Sequence, residues 1–297
     1  SSSSSAAPRT LGSPTRAGGG ESVWDVFTRR PGAIRDGASG EMACDHVARY
    51  AEDVRLLREL GVGAYRLSLS WPRLFPDGTG RLNPQGADFY DRLIDALLAA
   101  GIAPWITLFH WDYPQALQQR GGWLAPDAPA WFAEYAAFAV RRWGDRVAHW
   151  ITLNEPEVFV MLGHRWGTHA PGEKLTQAQT LALAHRVLLA HGAAVRAMRA
   201  SAPRPIAIGY AAALTPALPA SADPRDVDAA RRRTFTGMAA WLLDPVYRGH
   251  YPAAERREWG ADVPEIGADD LAAIAQPLDF CAANVYHGYR VRAGEGA

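Results

Sequence analysis

The sequence predicts an α/β protein whose strands are parallel, and two observations support this prediction. Short apolar runs rich in β-branched residues alternate with longer segments in which apolar residues recur about every three to four positions. A helical segment separates each predicted strand from the next, and such a crossover brings a chain back to a parallel strand. The 297 residues, 48% of them hydrophobic, are enough to bury one large core or two modest ones.

The first predicted elements run from residue 45 to residue 109. Asp45 is a candidate cap for a helix that ends at Gly61. The residues on one face of that helix are Val47, Tyr50, Val54 and Leu57. A strand over 64–71 follows, and then a helix that begins at Asn83-Pro84, a cap followed by a first-turn proline. Gly101 ends this second helix, and 102–109 is predicted to be the next strand.

The later elements continue the same alternation. Asp127 begins a helix that stops near Gly144, and the central strand covers 147–153. Thr176 begins a long helix that runs to about Ala200. The remaining predicted elements are a strand over 206–211, helical segments near 226–243 and 269–275, and a strand over 278–286. We expect the five strands to pair consecutively in one curved sheet.

Polar side chains follow three of these strands where each strand ends. His110 follows one strand, Asn154 and Glu155 follow the central strand, and Asn284 and Tyr286 lie at the end of the last. Chemistry drawn from several strand ends is typical of a (β/α)₈ barrel. A doubly wound sheet is the alternative, but no glycine-rich phosphate loop follows any strand. Five strands do not close such a barrel, so we predict an incomplete one.

The central strand ends in Asn154, Glu155 and Pro156, and proline cannot continue a sheet ladder. Glu155 is a candidate general acid, with a surface glutamate as the alternative. Asn154 is a candidate ligand for a substrate hydroxyl, or else a turn amide. Neighbouring side chains of a strand point in opposite directions, so both reach one pocket only if the strand end twists or bulges. Trp111, Trp150 and Trp166 are candidates for an apolar wall beside Glu155.

Two other polar residues have open interpretations. His110 is a donor to a sugar hydroxyl, a core histidine or a metal ligand. A metal is disfavoured because no His-x-His and no paired carboxylates accompany it. Arg66 alternates with Ser68 and Ser70, so the three share one strand face. If that face is buried, Arg66 must meet a carboxylate, and otherwise the face is solvated.

Composition excludes several classes of function. Lysine plus arginine and aspartate plus glutamate both number 31, so no basic surface for nucleic acid is expected. No apolar run reaches the roughly 20 residues of a membrane span. Cys44 and Cys281 lie far apart and match no metal spacing, which favours a reduced, cytoplasmic protein. No cofactor is expected, and the sequence gives no indication of the oligomeric state.

Taken together, the motifs resemble those of the family 1 glycoside hydrolases of the β-glucosidase type. The resemblance covers roughly residues 21–289. The segments that carry it are 64–68 with 71–73, 107–112 (TLFHWD), 121–124 (GGWL), 152–156 (TLNEP), 169–172 (HAPG), and 279–280 with 284–286.

The resemblance implies a TIM barrel that hydrolyses terminal β-D-glycosidic bonds with retention of configuration. Glu155 matches the acid/base, which protonates the glycosidic oxygen and later deprotonates water. His110, Trp111 and Asn154 match sugar-binding positions, with Asn154 at the 2-hydroxyl. The positions that match residues around the nucleophile are Arg66, Asn284 and Tyr286. The implied partner is a β-glycoside or oligosaccharide.

The sequence departs from the family in two respects. A retaining glycosidase needs a second carboxylate about 5–5.5 Å from the first. The family carries it on strand seven in a Ser/Thr-Glu-Asn-Gly context, and no such motif occurs up to Ala297. The Gln-Ile-Glu-Gly segment of the first strand is also absent. We therefore expect a truncated enzyme that holds about strands two to six.

These points predict two segments of the chain and leave two functional classes. Residues 1–20 are rich in Ser, Ala, Pro and Gly and are expected to be disordered, whereas 21–297 form the partial barrel. The chain is either a β-glycosidase by ancestry, active only if the missing strands come from elsewhere, or a non-catalytic remnant or sugar-binding module. A metal-dependent barrel hydrolase is disfavoured because too few ligands are present.

Overall fold

A parallel sheet lies at the centre of the molecule in a computed structural model that describes residues 2–6, 15, 18–35 and 37–294. The strands of this sheet are β1 (Ser2–Ala6), β2 (Ala64–Ser68), β3 (Ala103–Phe109), β4 (His149–Asn154), β5 (Ala207–Ala213) and β7 (Phe280–Asn284). Two short strands, β6 (Ala217–Pro219) and β8 (Tyr289–Val291), form a separate parallel pair.

Helices connect the strands. The α-helices are α1 (Val23–Thr28), α2 (His46–Glu59), α3 (Trp71–Leu74), α4 (Pro84–Ala99), α5 (Gln115–Gln118), α6 (Ala128–Trp143), α7 (Pro156–Val158), α8 (Gln177–Ser201), α9 (Pro224–Thr234), α10 (Gly237–Arg248), α11 (Ala253–Trp259) and α12 (Asp270–Ile274). Single turns of 3-10 helix occupy Gly122–Leu124 and Gly260–Asp262, and a π-helical segment covers Phe159–Arg165.

Of two predicted helix caps, one forms the expected side-chain hydrogen bond and the other does not. Thr176 caps α8 through a capping box, in which its hydroxyl accepts from Gln179 N–H and the Gln179 side chain accepts from Thr176 N–H. Asp45 precedes α2 as predicted but forms no side-chain cap, because its own backbone is left-handed, with φ 48°. The helices therefore begin where the sequence indicates, although not always by the expected hydrogen bond.

The strand order confirms the predicted consecutive pairing. The order is β1-β2-β3-β4-β5-β7, and every pair is parallel. The observed strands are shorter than some predicted ones. The first predicted strand, 64–71, ends at Ser68, since Trp71-Pro72 already begins α3. The last, 278–286, is limited to Phe280–Asn284.

The segment expected to be disordered contains an additional strand. Ser2–Ala6 pairs with β2, with Ser2 opposite Ala64 and Ala6 opposite Leu67. Parallel pairing uses backbone groups, so a Ser-rich run without apolar alternation gives no sequence signal for it. Most of residues 7–17 lies outside the described residues. The sheet therefore contains one strand more than the five predicted.

Side-chain contacts across the sheet show that it is strongly curled. In a flat sheet β2 and β7, four strand spacings apart, would be separated by about 19 Å. Yet Arg66 Nη1 of β2 donates to Asn284 Oδ1 of β7 at 3.3 Å. The rings of Trp105 on β3 and Phe280 on β7 also lie 5.2 Å apart. The sheet thus forms an open part of a barrel, as predicted.

Residues on the concave side of the sheet form a floor beneath its carboxyl-terminal edge. Trp105 and His149, which are register partners on β3 and β4, stack with ring centroids 4.0 Å apart. Phe280 packs over Gly209 of β5, where a Cβ atom would lie 2.2 Å from its ring. Glycine at position 209 therefore allows the Phe280 ring to pack directly against β5.

Helices cover the convex side of the sheet, where the main core lies. Ile106, Trp150 and Tyr210 have no exposed surface. Thr152 Oγ1 of β4 lies 2.8 Å from His191 Nδ1 of α8, and Tyr135 of α6 donates to Leu108 O at 2.9 Å. Within the described part of the chain, no helix has the length and apolar character of a membrane span.

Candidate functional site

The carboxyl-terminal edge of the sheet brings together polar side chains from four strands. Arg66 comes from β2, His110 follows β3, Asn154 and Glu155 end β4, and Asn284 ends β7. Tyr286 lies two residues after β7. The parallel arrangement places all of these strand ends at one edge, and the curl of the sheet turns them toward one another.

Asn154 and Glu155 share the site because the end of β4 is irregular. The β4–β5 register shifts between Ile151 and Asn154, and the Glu155 backbone is left-handed, with φ 48°. A non-glycine residue in this conformation carries strain of about 1–3 kcal/mol. One amide, Asn284 Nδ2, donates to Asn154 Oδ1 at 3.0 Å and to Glu155 Oε1 at 2.7 Å. The irregular strand end expected from the sequence is therefore present.

Glu155 is buried and accepts its side-chain hydrogen bonds through one oxygen. Its exposed fraction is 3%. Besides Asn284, the Tyr286 hydroxyl donates to Oε1 at 3.2 Å. Among the described residues no hydrogen bond to Oε2 is found. That oxygen is therefore the one available to a ligand.

Arg66 hydrogen-bonds to three other side chains at the site. Its Nε donates to Thr107 Oγ1 at 3.0 Å, and its two terminal nitrogens donate to Asn284 Oδ1 and Asn154 Oδ1. It forms no ion pair with a carboxylate of the described residues. Burial lowers the pKa of Arg66, while the charges of Glu155 and then Tyr286 act in the opposite direction.

The hydrogen bonds around Asn154 fix the tautomer of His110. Asn154 Oδ1 accepts from Arg66, which is only a donor, so its Nδ2 faces His110 Nε2 at 3.1 Å. Nε2 is therefore the acceptor, and Nδ1 carries the proton toward Ser68 Oγ at 3.3 Å. Burial, with help from the Arg66 charge, lowers the pKa of His110 to about 3, so the ring is neutral. Donation to a sugar would require the ligand to displace one of these partners.

The three tryptophans considered as a wall have different positions. Trp111 is half-buried at the strand ends, and its Nε1 donates to Asn154 O at 2.8 Å. Its backbone is left-handed, with φ 82°. Trp150 lies on the helix-covered side and donates to Val147 O, so it does not line the site. Trp166 is 55% exposed. Alternation along β4 explains the error for Trp150, since Trp150 and His149 face opposite sides.

Sequence reasoning missed two residues at this edge. Thr107 of β3 accepts from Arg66, and its place on the site face follows from its register with Ser68. Glu157 of α7 accepts a hydrogen bond from Ala213 N–H, and its Oε2 is buried without a partner among the described residues. Alternation along β3 would have indicated Thr107, whereas no periodic pattern indicates Glu157.

The arrangement suits recognition of a polar, uncharged ligand next to one carboxyl group. Within the described ranges, no group of three or more His, Cys, Asp or Glu side chains is placed to hold a metal ion. The site instead offers amides, a neutral imidazole, a guanidinium and a phenol, which hydrogen-bond readily to hydroxyl groups.

The whole chain matches one protein family by sequence. The model for glycosyl hydrolase family 1 matches residues 1–296. The chain belongs to this family. Beta-glucosidase A of Acetivibrio thermocellus is 44% identical over 286 residues, which cover 96% of this chain and 63% of the relative. Beta-glucosidase A of Thermotoga maritima is 42% identical, with 95% of this chain and 63% of the relative covered.

Solved structures of family 1 enzymes agree with the fold. A family 1 β-glucosidase from Thermotoga maritima superposes with a TM-score of 0.91 and 40% identity. The match covers 99% of this chain and 66% of that one. The same enzyme in complex with deoxynojirimycin superposes with a TM-score of 0.89. This family 1 chain spans just under two thirds of the length of the curated relatives it matches.

Proposed function

We propose that this chain carries the acid/base half of a retaining β-glycosidase that hydrolyses terminal β-D-glycosidic bonds. The observation that carries the proposal is the position of Glu155, whose buried Oε1 is held by Asn284 and Tyr286 while Oε2 has no described partner. A carboxyl group fixed through one oxygen can present the other to a glycosidic oxygen. Family membership and the β-glucosidase relatives support the same chemistry.

In this proposal the remaining side chains bind the sugar and orient a second carboxylate. Asn154 and His110 form the hydroxyl-binding wall, and half-buried Trp111 supplies an apolar surface for the sugar ring. Arg66, Asn284 and Tyr286 surround the position that faces Glu155. A retaining enzyme needs a nucleophilic carboxylate there, about 5–5.5 Å from the acid/base.

We expect no carboxylate of residues 1–297 to act as that nucleophile, because the family's Ser/Thr-Glu-Asn-Gly motif does not occur in them. Glu157 is near in sequence, but its carboxyl group accepts from Ala213 N–H and is buried. We therefore expect residues 1–297 alone to hydrolyse an aryl β-glucoside very slowly, because no covalent glycosyl-enzyme forms without a nucleophile.

We also propose a cytoplasmic location, which is a prediction from the sequence.

An external anion tests the proposal directly. Azide that occupies the nucleophile position would attack the anomeric carbon from the face opposite the aglycone. The bond to the aglycone oxygen breaks, Glu155 gives that oxygen a proton, and an α-glycosyl azide is released. We expect azide to accelerate the cleavage of a 4-nitrophenyl β-D-glucoside by residues 1–297, with the α-azide as product.

Two variants and one alternative sharpen this experiment. Glu155→Gln should lower the azide-dependent rate by about 10²–10⁴-fold, the usual contribution of a general acid. Glu258→Gln, which changes an exposed glutamate, should leave the rate unchanged. Binding of deoxynojirimycin without any azide-dependent cleavage would favour the alternative, a sugar-binding module. Rapid hydrolysis without azide would show that another carboxylate of this chain acts as the nucleophile.

A further inference from the structure

The segment 155–157 is bonded to β5 at two points, on either side of the left-handed turn. Glu155 N–H donates to Ala211 O at 2.7 Å, in continuation of the β4–β5 pairing. Two residues later, the Glu157 side chain accepts from Ala213 N–H. Pro156, which lies between them, has no N–H to give. The carboxyl group of Glu157 thus takes the place of the ladder hydrogen bond that the turn interrupts.

The carboxyl group of Glu157 lies in surroundings that disfavour a negative charge. Although the residue as a whole is half-buried, Oε2 has no access to solvent and no hydrogen-bond partner among the described residues. The ionisable groups that act on it are Glu155 on its own segment and Tyr210 on β5, behind which lies Tyr247 of α10. No arginine, lysine or histidine of the described residues shifts its ionisation.

We propose that Glu157 is a positioning residue for Glu155: the buried carboxyl group of Glu157 connects α7 to β5 and thereby fixes the left-handed backbone of the acid/base. The inference rests on the proposed function in so far as it gives Glu155 its importance. A left-handed non-glycine residue persists only when its surroundings hold it. The two bonds to β5 provide that support immediately before and after the turn.

The protonation state of Glu157 follows from its position. Burial raises the pKa of Glu157 to about 8, the Glu155 charge adds to the rise, and hydrogen bonds from its own backbone N–H and from Ala213 N–H oppose it. At neutral pH the Glu157 carboxyl group is therefore mostly protonated. As the pH rises through about 8, Glu157 gains a negative charge two residues from Glu155, and the site should respond to it.

Nuclear magnetic resonance of residues 1–297 tests the proposal without any need for turnover. The Asn284 side-chain amide reports on the position of Glu155, since it donates to Oε1 at 2.7 Å. Hydrogen exchange of Ala213 N–H reports on the bond to Glu157. Glu157→Leu removes the acceptor and should accelerate that exchange by about tenfold or more, the equivalent of an unpaired buried N–H. It should also shift the Asn284 amide signals.

The conservative variant Glu157→Gln keeps a carbonyl acceptor. At neutral pH it should show the wild-type exchange rate of Ala213 N–H and the wild-type Asn284 amide signals. In the wild type the Asn284 signals should show a titration step near pH 8. That step should disappear in Glu157→Gln and persist in the control Glu258→Gln. Ala213 N–H exchange in the wild type as fast as that of an unpaired amide would overturn the proposal, even if Glu157→Leu does not fold. Unchanged Ala213 exchange in a folded Glu157→Leu would do the same. Failure of azide rescue, in contrast, bears on the proposed function alone.

Discussion

The helix-covered face of the sheet and the face that carries the site use polar groups in different ways. On the helix-covered face, polar side chains form small separate groups, such as Thr152 with His191 and Gly209 O, or the pair of Tyr210 with Leu242 O. On the site face, Arg66, Asn154 and Asn284 share one continuous network, in which each side chain has two or more partners. Small separate groups satisfy a core, whereas a connected network fixes the orientation of each member.

The two faces also differ in what their side chains do for stability. Large apolar residues without exposed surface, such as Trp150 and Ile106, pack under the helices and supply hydrophobic stabilisation. The site face holds a guanidinium without an ion pair in the described chain and two left-handed residues, Trp111 and Glu155. Such features cost free energy. The helix-covered face thus stabilises the fold, and this stability offsets the free-energy cost of the site face.

A matched pair of tryptophan substitutions provides the largest expected contrast. Trp150→Ala removes a fully buried ring and should lower the free energy of unfolding by about 3–5 kcal/mol. Trp111→Ala removes a half-buried ring and should cost about 1–2 kcal/mol. Urea unfolding of both variants measures the difference. Equal losses would mean that the site face contributes to stability as the helix-covered face does.

A second contrast depends on pH and concerns Glu157. Its pKa in the folded chain, about 8, exceeds the unfolded value of about 4.3, so the folded state holds the proton more tightly between these values. The stability contributed by the protonated group is complete below pH 4.3 and is lost as the pH rises toward 8. Glu157→Gln does not titrate. Its stability relative to the wild type should therefore rise across this window, by on the order of 4 kcal/mol.

Unfolding in urea at several pH values checks this expectation, with Glu258→Gln as the control. A constant difference between Glu157→Gln and the wild type from acid to pH 8 would show that the Glu157 carboxyl group titrates normally in the folded protein.

His191 on the helix-covered face and His110 on the site face should lower the stability of the protein in acid by similar amounts. Removal of the Arg66 charge should change only the contribution of His110. Burial lowers the pKa of both His191 and His110 to about 3, and for His110 the Arg66 charge contributes. Because the folded pKa is lowered, the unfolded chain binds the proton first, and stability falls as the pH drops below about 6.5. At pH 5 each histidine should cost about 2 kcal/mol.

Stability measured at pH 7 and pH 5 in His191→Gln and His110→Gln tests this. Each variant should lose less stability in acid than the wild type does. In an Arg66→Met background the acid penalty of His110 should decrease, whereas that of His191 should not change. If both penalties change equally, the Arg66 effect is not local to the site face.

Much of this architecture could be predicted because apolar patterns specify strands and their order. The run 102–109 is apolar and β-branched, and the observed strand is Ala103–Phe109. Since parallel strands end at one edge, the strand-end positions of His110, Glu155 and Asn284 indicate a shared site from the sequence alone. The roles of these residues in sugar binding and catalysis are still predictions.

The features that could not be predicted depend on backbone groups and on contacts between distant segments. Ser2–Ala6 joins the sheet through its backbone, which leaves no mark in side-chain patterning. Glu157 is a polar residue in a three-residue helix, and only its bond to Ala213, 56 positions away, distinguishes it from a surface glutamate. Closeness to Glu155 in sequence suggests Trp150 as part of an apolar wall, but alternation along β4 places Trp150 on the helix-covered face.

The smallest expected effect concerns the charge at the centre of the network. Arg66 is partly buried, and burial lowers the pKa of its guanidinium, while its hydrogen-bond acceptors Thr107, Asn154 and Asn284 are all neutral. Arg66→Met keeps the aliphatic volume and removes the charge. Three hydrogen bonds are lost, but Asn154 Oδ1 still accepts from Asn284 Nδ2, so only Asn284 Oδ1 and Thr107 Oγ1 are left without a partner among the described residues.

We therefore expect Arg66→Met to raise the free energy of unfolding slightly, by about 1 kcal/mol, because removal of a partly buried charge without an ion pair in the described part of the chain outweighs the three lost hydrogen bonds. The same variant should abolish azide-dependent cleavage, since the anion loses the cation that faces it. Urea unfolding and the azide assay on one protein preparation measure both effects. A loss of stability instead would mean that the network on the site face supports the fold, and the contrast between the two faces would no longer hold.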